Sequence, residues 1–261
     1  SLGVGAAIAG LRPIVEFMFQ DFALYAMDAI VNQAAKARFM SGGQVSVPIV
    51  FRIPVGAGLR GAAQHSQCFE AWYAHVPGLI VLYPSNPQDA YGMLRTAIRE
   101  NNPVVFFVHK SLYGQRGEIE VDPEYLTPIG KASVLQEGAD ITIISYGTMV
   151  HKCMETAKKL EEDGICAEVI DLRSLNPLDT ETILNSAKKT RRVLCVTEAN
   201  LKFSIIREIA ALIAESVKEN DPPIRQASCG AMETPIPYPP VLEDRVLTQV
   251  EDIYEQAKTL F

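Results

Sequence analysis

A short apolar strand, a glycine-rich loop and a histidine follow one another in Phe51-Arg-Ile-Pro-Val-Gly-Ala-Gly-Leu-Arg-Gly-Ala-Ala-Gln-His-Ser-Gln67. Gly56, Gly58 and Gly61 would allow the backbone of this loop to approach a ligand closely. His65 stands at the end of the loop, and an imidazole can titrate near neutral pH. The pattern is consistent with two interpretations, a ligand site that contains His65 or a strand-to-helix turn with a surface histidine.

Apolar strands and amphipathic helices alternate on both sides of this loop. The pattern predicts strands at 14–19, 47–53, 79–83, 104–108, 141–145, 167–172, 193–197 and 224–228. It predicts helices at 22–40, 67–75, 84–101, 149–163, 179–188, 204–218 and 249–260. Strands that are apolar throughout indicate an α/β fold with mostly parallel sheets flanked by helices.

A polar connection at 113–128 separates two such halves and predicts two domains, 1–122 and 123–261. In parallel sheets of this kind, ligands bind beyond the carboxyl ends of the strands. The glycine-rich loop follows a strand end, so its position favours the ligand-site interpretation for His65.

The composition excludes several classes of function. The chain has 261 residues, of which 48% are hydrophobic, and a formal net charge of -7 without any basic block. This balance argues against nucleic-acid binding, and no apolar run is long enough to cross a membrane. Five cysteines without a C-x-x-C pair predict buried free thiols in a reducing cytoplasm.

The common catalytic signatures for nucleotide, phosphate, serine-hydrolase and zinc-protease sites are absent from the sequence. Of the other three histidines, His75 ends a predicted helix and His151 lies on a polar helix face, where we expect it to be solvated. His109 ends a predicted strand, which is consistent equally with a site residue and a surface residue.

A second cluster combines Phe17, Met18, Phe19 and Phe22. Phenylalanine and methionine are usually buried, so the cluster is consistent with hydrophobic core. The alternative is one wall of a pocket for a flat, apolar ring.

Five segments, in the same order along the chain, resemble the β subunit of the thiamine-diphosphate-dependent 2-oxoacid dehydrogenases. This subunit belongs to the decarboxylating first component of the pyruvate, branched-chain 2-oxoacid and acetoin dehydrogenase complexes. The resemblance extends from about Gly3 to the C-terminus. The segments are Gly10-Leu-Arg-Pro-Ile-Val-Glu-Phe-Met-Phe-Gln-Asp-Phe22, Gln64-His-Ser-Gln67, Pro77-Gly78, Pro84-Ser-Asn-Pro-Gln-Asp-Ala90 and Leu172-Arg-Ser-Leu-Asn-Pro-Leu-Asp179.

The resemblance implies a transketolase-like pyrimidine-binding domain followed by a transketolase C-terminal domain. It implies thiamine diphosphate at an interface with an α subunit, which carries the diphosphate and its magnesium ion. Met18 and Phe22 match positions that line the aminopyrimidine ring, which favours the ring-wall interpretation. His65 matches the active-site histidine that faces the substrate and the incoming lipoyl group.

The resemblance also implies partners and a second cation. The expected assembly is an α2β2 heterotetramer with a second β subunit, and its C-terminal domain docks on the dihydrolipoyl acyltransferase core. The family often holds a potassium ion with main-chain carbonyls. The matching positions are Ile49, Ala97, Ile98, Glu100 and Asn102.

Two loops depart from the family pattern. Pro54-Val55-Gly56 stands where the family has a Pro-Asn-Gly type of loop, and Glu198-Ala-Asn-Leu-Lys-Phe203 replaces a glycine-rich turn. The family's glutamate, which hydrogen-bonds the pyrimidine nitrogen, lies just before segment 4–9 and is therefore expected upstream of Ser1. Glu16 follows Pro13 and is not this glutamate. These positions predict an N-terminally truncated β subunit, inactive as given, with an incomplete first domain.

The predicted function is oxidative decarboxylation of a 2-oxoacid with acyl transfer to lipoyllysine, in a bacterial-type cytoplasm. Pro128-Ile-Gly-Lys-Ala132 resembles the pyruvate type, whereas His109-Lys110 is closer to acetoin or branched-chain types, so pyruvate is favoured. One alternative is a fragment of a single-chain transketolase or deoxyxylulose-phosphate synthase. Another is a non-catalytic assembly module, which the missing glutamate would favour.

Overall fold

The structure, a computed structural model, describes residues 1–122 and 124–261. Its strands form two five-stranded sheets. The strands are β1 (Ile14–Glu16), β2 (Val50–Val55), β3 (Ile80–Leu82), β4 (Val104–His109), β5 (Ser133–Gln136), β6 (Ile141–Ser145), β7 (Ala167–Asp171), β8 (Ser174–Asn176), β9 (Arg192–Asn200) and β10 (Arg225–Ala231).

Helices connect most of these strands. The α-helices are α1 (Leu2–Ile8), α2 (Gln20–Ala23), α3 (Ala35–Met40), α4 (Glu70–Ala74), α5 (Pro87–Arg99), α6 (Met149–Glu162), α7 (Thr180–Thr190), α8 (Ile205–Glu215), α9 (Pro240–Val246) and α10 (Val250–Lys258). Each long helix has one buried face and one exposed face, as the apolar periodicity predicts.

The first sheet has the order β1–β2–β4–β3–β8. Strands β1 to β4 pair in parallel, and Val104 of β4 aligns with both Val50 and Ile80 of its two neighbours. Strand β8 comes from the second half of the chain and pairs antiparallel with β3. The first sheet is therefore completed by a strand from beyond the connection at 113–128.

The second sheet has the order β10–β9–β6–β7–β5. Four of its strands pair in parallel, and only the edge strand β5 is antiparallel. All five residues of β6 and all five of β7 are buried, because helices cover both faces of the sheet. The prediction of mostly parallel sheets is confirmed in both halves.

The predicted helix 22–40 is wrong as one continuous α-helix. The chain runs through α2, a 3-10 segment (Leu24–Ala26), a π-helical segment (Asp28–Ala34) and α3. Within the π-helical segment, the Asp28 carboxylate accepts hydrogen bonds from Asn32 Nδ2 (2.8 Å) and Gln33 Nε2 (3.5 Å). Ala29, Ile30 and Ala34 are the buried residues of this wider turn.

The two halves share one hydrophobic core. The Tyr83 ring, after β3, lies between Phe107 of β4 (centroids 5.7 Å apart) and Tyr146, which follows β6 (5.5 Å). All three side chains are buried in the same cluster as Ile206 of α8. The predicted domain boundary falls at Pro123, which lies outside the described residues.

The cysteines carry no disulfide among the described residues. Cys153, Cys195 and Cys229 are buried free thiols as predicted, but Cys68 is only partly buried. The prediction is wrong for Cys166, which is exposed because it lies in the turn between α6 and β7. Across the described ranges, no helix combines the length and apolar character needed to cross a membrane.

Candidate active site

His65 and the aromatic segment meet at the carboxyl edge of the first sheet. The aromatic segment follows β1, and the glycine-rich loop follows β2, its parallel neighbour. The His65 ring lies 4.9 Å from the Phe19 ring and 5.4 Å from the Phe22 ring, centroid to centroid, and is nearly perpendicular to both. Edge-to-face contacts of this kind stabilise aromatic pairs and fix the orientation of the imidazole ring.

The aromatic cluster divides between core and surface. Phe17 packs against the main core, whereas Phe19 and Phe22 are half-buried and lie 5.6 Å apart. The Met18 side chain is 73% exposed. The core interpretation is therefore wrong for Met18, and the arrangement leaves an apolar surface beside His65.

Lys110 is a site residue that the sequence analysis did not single out. Its Nζ donates a hydrogen bond to the main-chain oxygen of His65 and lies 4.9 Å from the centroid of the Phe19 ring. Burial lowers the pKa of Lys110, and the negative charge of Asp21 opposes that shift. Because Lys110 directly follows β4, the strand-end rule could have found it.

A hydrogen bond ties the histidine loop to the aromatic segment. Gln67 Nε2 donates to Asp21 Oδ1 at 2.6 Å, and Asp21 is 8% exposed. The two segments that flank the His65 ring are thus fixed to each other by ring contacts and by a polar contact.

A second histidine lies at the base of the loop. His109, at the end of β4, is 2% exposed, so the surface interpretation of this residue is wrong. Its Nε2 lies 2.9 Å from Oε2 and 3.0 Å from Oε1 of Glu198, on β9, and its Nδ1 lies 2.7 Å from Ser111 Oγ. The imidazole therefore bridges the two sheets.

Gly56 is required by the position of His109. Its φ of 91° lies in the left-handed region, and a Cβ atom there would overlap the imidazole of His109. Gly58 also has a positive φ, of 85°, but its nearest neighbour would lie 4.0 Å from a Cβ atom, at Ser111. The glycine at position 56 therefore allows the backbone to approach the imidazole ring of His109, whereas the sequence predicted a close approach to a ligand.

Two buried acidic groups behave differently in this region. Burial raises the pKa of Glu70 to about 7, and the Tyr146 hydroxyl donates to its Oε1 at 2.8 Å. Burial would also raise the pKa of Glu198, but the charge and hydrogen bond of His109, with the Ala57 amide, lower it to about 2. Near neutral pH, Glu198 is thus an anion, whereas Glu70 is partly protonated.

The other two histidines lie away from the His65 ring. His75 follows α4 and is exposed, as its predicted place at a helix end requires. The expectation that His151 is solvated is met only in part, because the side chain is half-buried and its Nε2 lies 2.8 Å from the main-chain oxygen of Ser85. That contact holds the start of α6 against the first half of the chain.

The five predicted potassium positions lie around the amino end of β4 and the end of α5. The main-chain oxygens of Ile98 and Glu100 converge on Arg12 Nη1, at 3.0 and 2.9 Å. The Ile49 oxygen accepts from the Val104 amide, the Ala97 oxygen accepts from the Glu100 amide, and the Asn102 side chain accepts from Arg38. A carbonyl oxygen has two lone pairs, so these bonds do not exclude a further ligand, and the potassium site stays a prediction.

Metal ions can also be held by side chains, which is a separate question from the main-chain carbonyls. In the part of the chain that the structure describes, no group of three or more His, Cys, Asp or Glu side chains is placed to hold a metal ion.

Comparison with known families gives two consecutive matches. Residues 1–116 match the transketolase pyrimidine binding domain, and residues 130–253 match the transketolase C-terminal domain. Together these matches cover both sheets, with β8 of the first sheet contributed from the second match.

Comparison with curated proteins identifies close relatives. The chain is 47% identical to the mitochondrial pyruvate dehydrogenase E1 component subunit beta of Dictyostelium discoideum, over 98% of this chain and 73% of that protein. It is 46% identical to the 2-oxoisovalerate dehydrogenase subunit beta of Bacillus subtilis, over 93% of this chain and 74% of that protein.

The chain belongs to the family of E1 β subunits of 2-oxoacid dehydrogenases. The predicted resemblance is thereby confirmed, and this E1 β family is favoured over a single-chain transketolase fragment. A solved split-gene transketolase, described as an inactive beta4 tetramer, aligns with a TM-score of 0.80 over 99% of this chain and 79% of that chain. At 23% identity, that likeness confirms the transketolase-like fold of this E1 β chain.

Proposed function

We propose that this E1 β chain, with an α subunit, catalyses oxidative decarboxylation of a 2-oxoacid and transfers the acyl group to lipoyllysine. The observation that carries the proposal is the His65 ring, held edge-on by Phe19 and Phe22 at the carboxyl edge of the first sheet. This edge is where α/β sheets bind their ligands.

We propose pyruvate as the substrate. The relatives do not discriminate strongly, because identity is 47% to a pyruvate dehydrogenase subunit and 46% to a 2-oxoisovalerate dehydrogenase subunit. The preference rests on the likeness of 128–132 to the pyruvate type.

Thiamine diphosphate would lie against the aromatic segment, where Met18 and Phe22 would line its aminopyrimidine ring. The residues fit a flat ring, because Met18 is 73% exposed and the half-buried Phe22 ring lies against His65. The Gln20 amide is fully buried, and neither its nitrogen nor its oxygen has a partner among the described residues. When bound, the cofactor supplies an electron sink for decarboxylation.

Residues of this chain orient the His65 imidazole and supply the group that transfers protons. Phe19 and Phe22 fix the plane of the His65 imidazole, and Lys110 holds its main-chain oxygen. The imidazole is placed to act as a general acid or base at the substrate or at the lipoyl sulfur. Lys110 adds positive charge close to a site that receives an anionic 2-oxoacid.

The proposal includes an α subunit, a second β subunit in an α2β2 heterotetramer, and the dihydrolipoyl acyltransferase core. Magnesium would be held by the α subunit. Large apolar side chains on the first half support a covered surface: Leu2 is 90% exposed, Tyr25 97% and Phe39 89%. Contiguous exposed apolar surface marks interaction sites, so these side chains are candidates for the covered surface.

We propose domain limits of 1–122 and 123–261, which the family matches at 1–116 and 130–253 support. We also propose a bacterial-type cytoplasm, which free cysteines favour. The Dictyostelium relative is mitochondrial, so cell fractionation is the measurement that decides the compartment.

The test is 2-oxoacid-dependent reduction of an artificial electron acceptor by the full-length chain co-expressed with its α subunit. Thiamine diphosphate and magnesium are added, and pyruvate, a branched-chain 2-oxoacid and acetoin are compared. We expect turnover of pyruvate, loss of at least ~100-fold in His65→Ala, and less than ~2-fold change in the exposed control His75→Ala. Either subunit alone should be inactive.

An intact heterotetramer without turnover of any of the three substrates would contradict the proposal. The assembly-module alternative would then be the better account. If turnover is unchanged in His65→Ala, the proposed enzymatic activity stands, but the proposed role of His65 in it is wrong.

A further inference from the structure

The glycine-rich loop is held by two carboxylates from the second half of the chain. Glu198 Oε1, on β9, accepts a hydrogen bond from the Ala57 amide at 2.6 Å. Glu243 Oε1, on α9, accepts from the next amide, that of Gly58, at 2.8 Å. Glu243 Oε2 also lies 2.8 Å from Arg60 Nη1.

Both carboxylates are removed from solvent. The Glu243 side chain is fully buried and the Glu198 side chain is 11% exposed. A buried carboxylate is a poor source of stability, because desolvation offsets much of the attraction to its partner. Apolar side chains would fill the same space at less cost, so stability alone does not explain two anions at one loop.

The held residues lead directly to His65. The loop continues from Arg60 through Gly61, where a Cβ atom would lie 3.0 Å from the Cβ of His65. The main-chain oxygen of His65 is then held by Lys110. A shift at Ala57 or Gly58 would therefore move the imidazole relative to Phe19 and Phe22.

We infer that Glu198 and Glu243 are positioning residues that set the place of His65 through the backbone of the glycine-rich loop. The inference rests on the proposed role of His65 and extends it to two residues in the second half of the chain. It also assigns a function to one residue of β9 and one of α9.

A double-mutant cycle in the α2β2 assembly tests the inference. Glu198→Gln and Glu243→Gln keep the side-chain shape but remove the charge, and a misplacement of about 1 Å costs up to ~100-fold in rate. We expect each to lower kcat/KM for the 2-oxoacid by ~10- to 100-fold in the wild-type background and by less than ~2-fold in the His65→Ala background. Glu251→Gln, which removes a carboxylate from an exposed pair with Lys159, is the matched control and should be near wild type in both.

Hydrogen exchange gives a readout that does not depend on activity. In the same assemblies, peptides that cover 56–66 should exchange faster in Glu198→Gln and Glu243→Gln, and at the wild-type rate in Glu251→Gln. Unchanged exchange, or losses of kcat/KM that simply add to that of His65→Ala, would overturn the inference. If the wild-type assembly turns over no 2-oxoacid, the proposed function fails, and the exchange result alone decides whether the two carboxylates position the loop. If one variant does not assemble, the aspartate variant at the same position, Glu198→Asp or Glu243→Asp, replaces it in both measurements.

Discussion

Arg173 Nη1 lies 3.0 Å from Oδ1 of Asp89, and this ion pair joins the turn before β8 to helix α5. Both side chains are largely buried, at 15% and 8% exposed. Arg173 also donates to the main-chain oxygens of Lys131 and Ala132. One guanidinium thus fixes α5, the residues just before β5 and the start of β8 to one another.

Loss of this guanidinium should destabilise the chain strongly. Arg173→Met would leave Asp89 as an unpaired buried charge, which costs about 3–5 kcal/mol and about 10 °C in Tm for a chain of this size. Scanning calorimetry measures the shift. Lys202→Met is the control, because its pair with Glu233 is exposed and contributes less than about 1 kcal/mol. Equal shifts in the two variants would contradict the assignment.

The buried carboxyl of Asp171 should make stability depend on pH. Burial raises its pKa in the folded chain from 3.8 to about 7, and Ser85 Oγ donates to it at 2.5 Å. Between these two values the folded state binds more protons than the unfolded state, so this group makes stability fall as pH rises from 4 to 7. Its full penalty, on the order of 4 kcal/mol, applies above the folded pKa.

Asp171→Asn should remove this dependence. We expect a higher Tm than wild type at pH 8 and little difference at pH 4, measured by calorimetry across that range. The exposed Glu161→Gln should leave the pH profile unchanged. A wild-type profile in Asp171→Asn would show that another group carries the dependence.

The two loop glycines should differ in their tolerance of alanine. Both have positive φ, so Gly56→Ala and Gly58→Ala share a backbone penalty of about 1–2 kcal/mol. Only at Gly56 would the methyl group overlap His109, which adds about 1–3 kcal/mol of overpacking. Urea unfolding should therefore give a clearly lower free energy of unfolding for Gly56→Ala than for Gly58→Ala. The reverse order would mean that the His109 ring moves aside at little cost.

Phe22 should govern affinity for the cofactor. Phe22→Ala removes a half-buried ring that contacts His65, and we expect the thiamine diphosphate concentration for half-maximal activity to rise by ~10- to 100-fold. Phe203→Ala, at a ring that is 85% exposed on the second half, should leave it unchanged. An equal effect in both variants would contradict the proposal that Phe22 lines the aminopyrimidine ring of the cofactor.

Elements with strong local patterns could be predicted from the sequence. Strand β6 was predicted at its observed bounds, because its five apolar or small residues are all buried between two helix layers. Strands β5 and β8 were not predicted, since they have only four and three residues and pair at sheet edges. Helix α9 begins at Pro240 within a run of prolines that indicates a loop by composition.

The candidate site could be predicted only in part, for a related reason. His65 was found from its loop, and its contact with Phe22 follows from two strands that end at one edge. The partners that hold this loop are distant in sequence: Ala57 and Glu198 are 141 positions apart, and Gly58 and Glu243 are 185 positions apart. Such pairings depend on how the two sheets pack, which local periodicity does not record.

The chain order of β8 bears on how this protein can be made and divided. Until residue 176 has been synthesised, β3 has no partner on its outer side, and an open strand edge is a template for aggregation. A nascent chain that has released only its first half would therefore need protection, and a fragment that ends at residue 122 would keep that edge open permanently. Division after β8 would close that edge but would separate β6 from β9, so neither division gives a first piece in which every strand is paired.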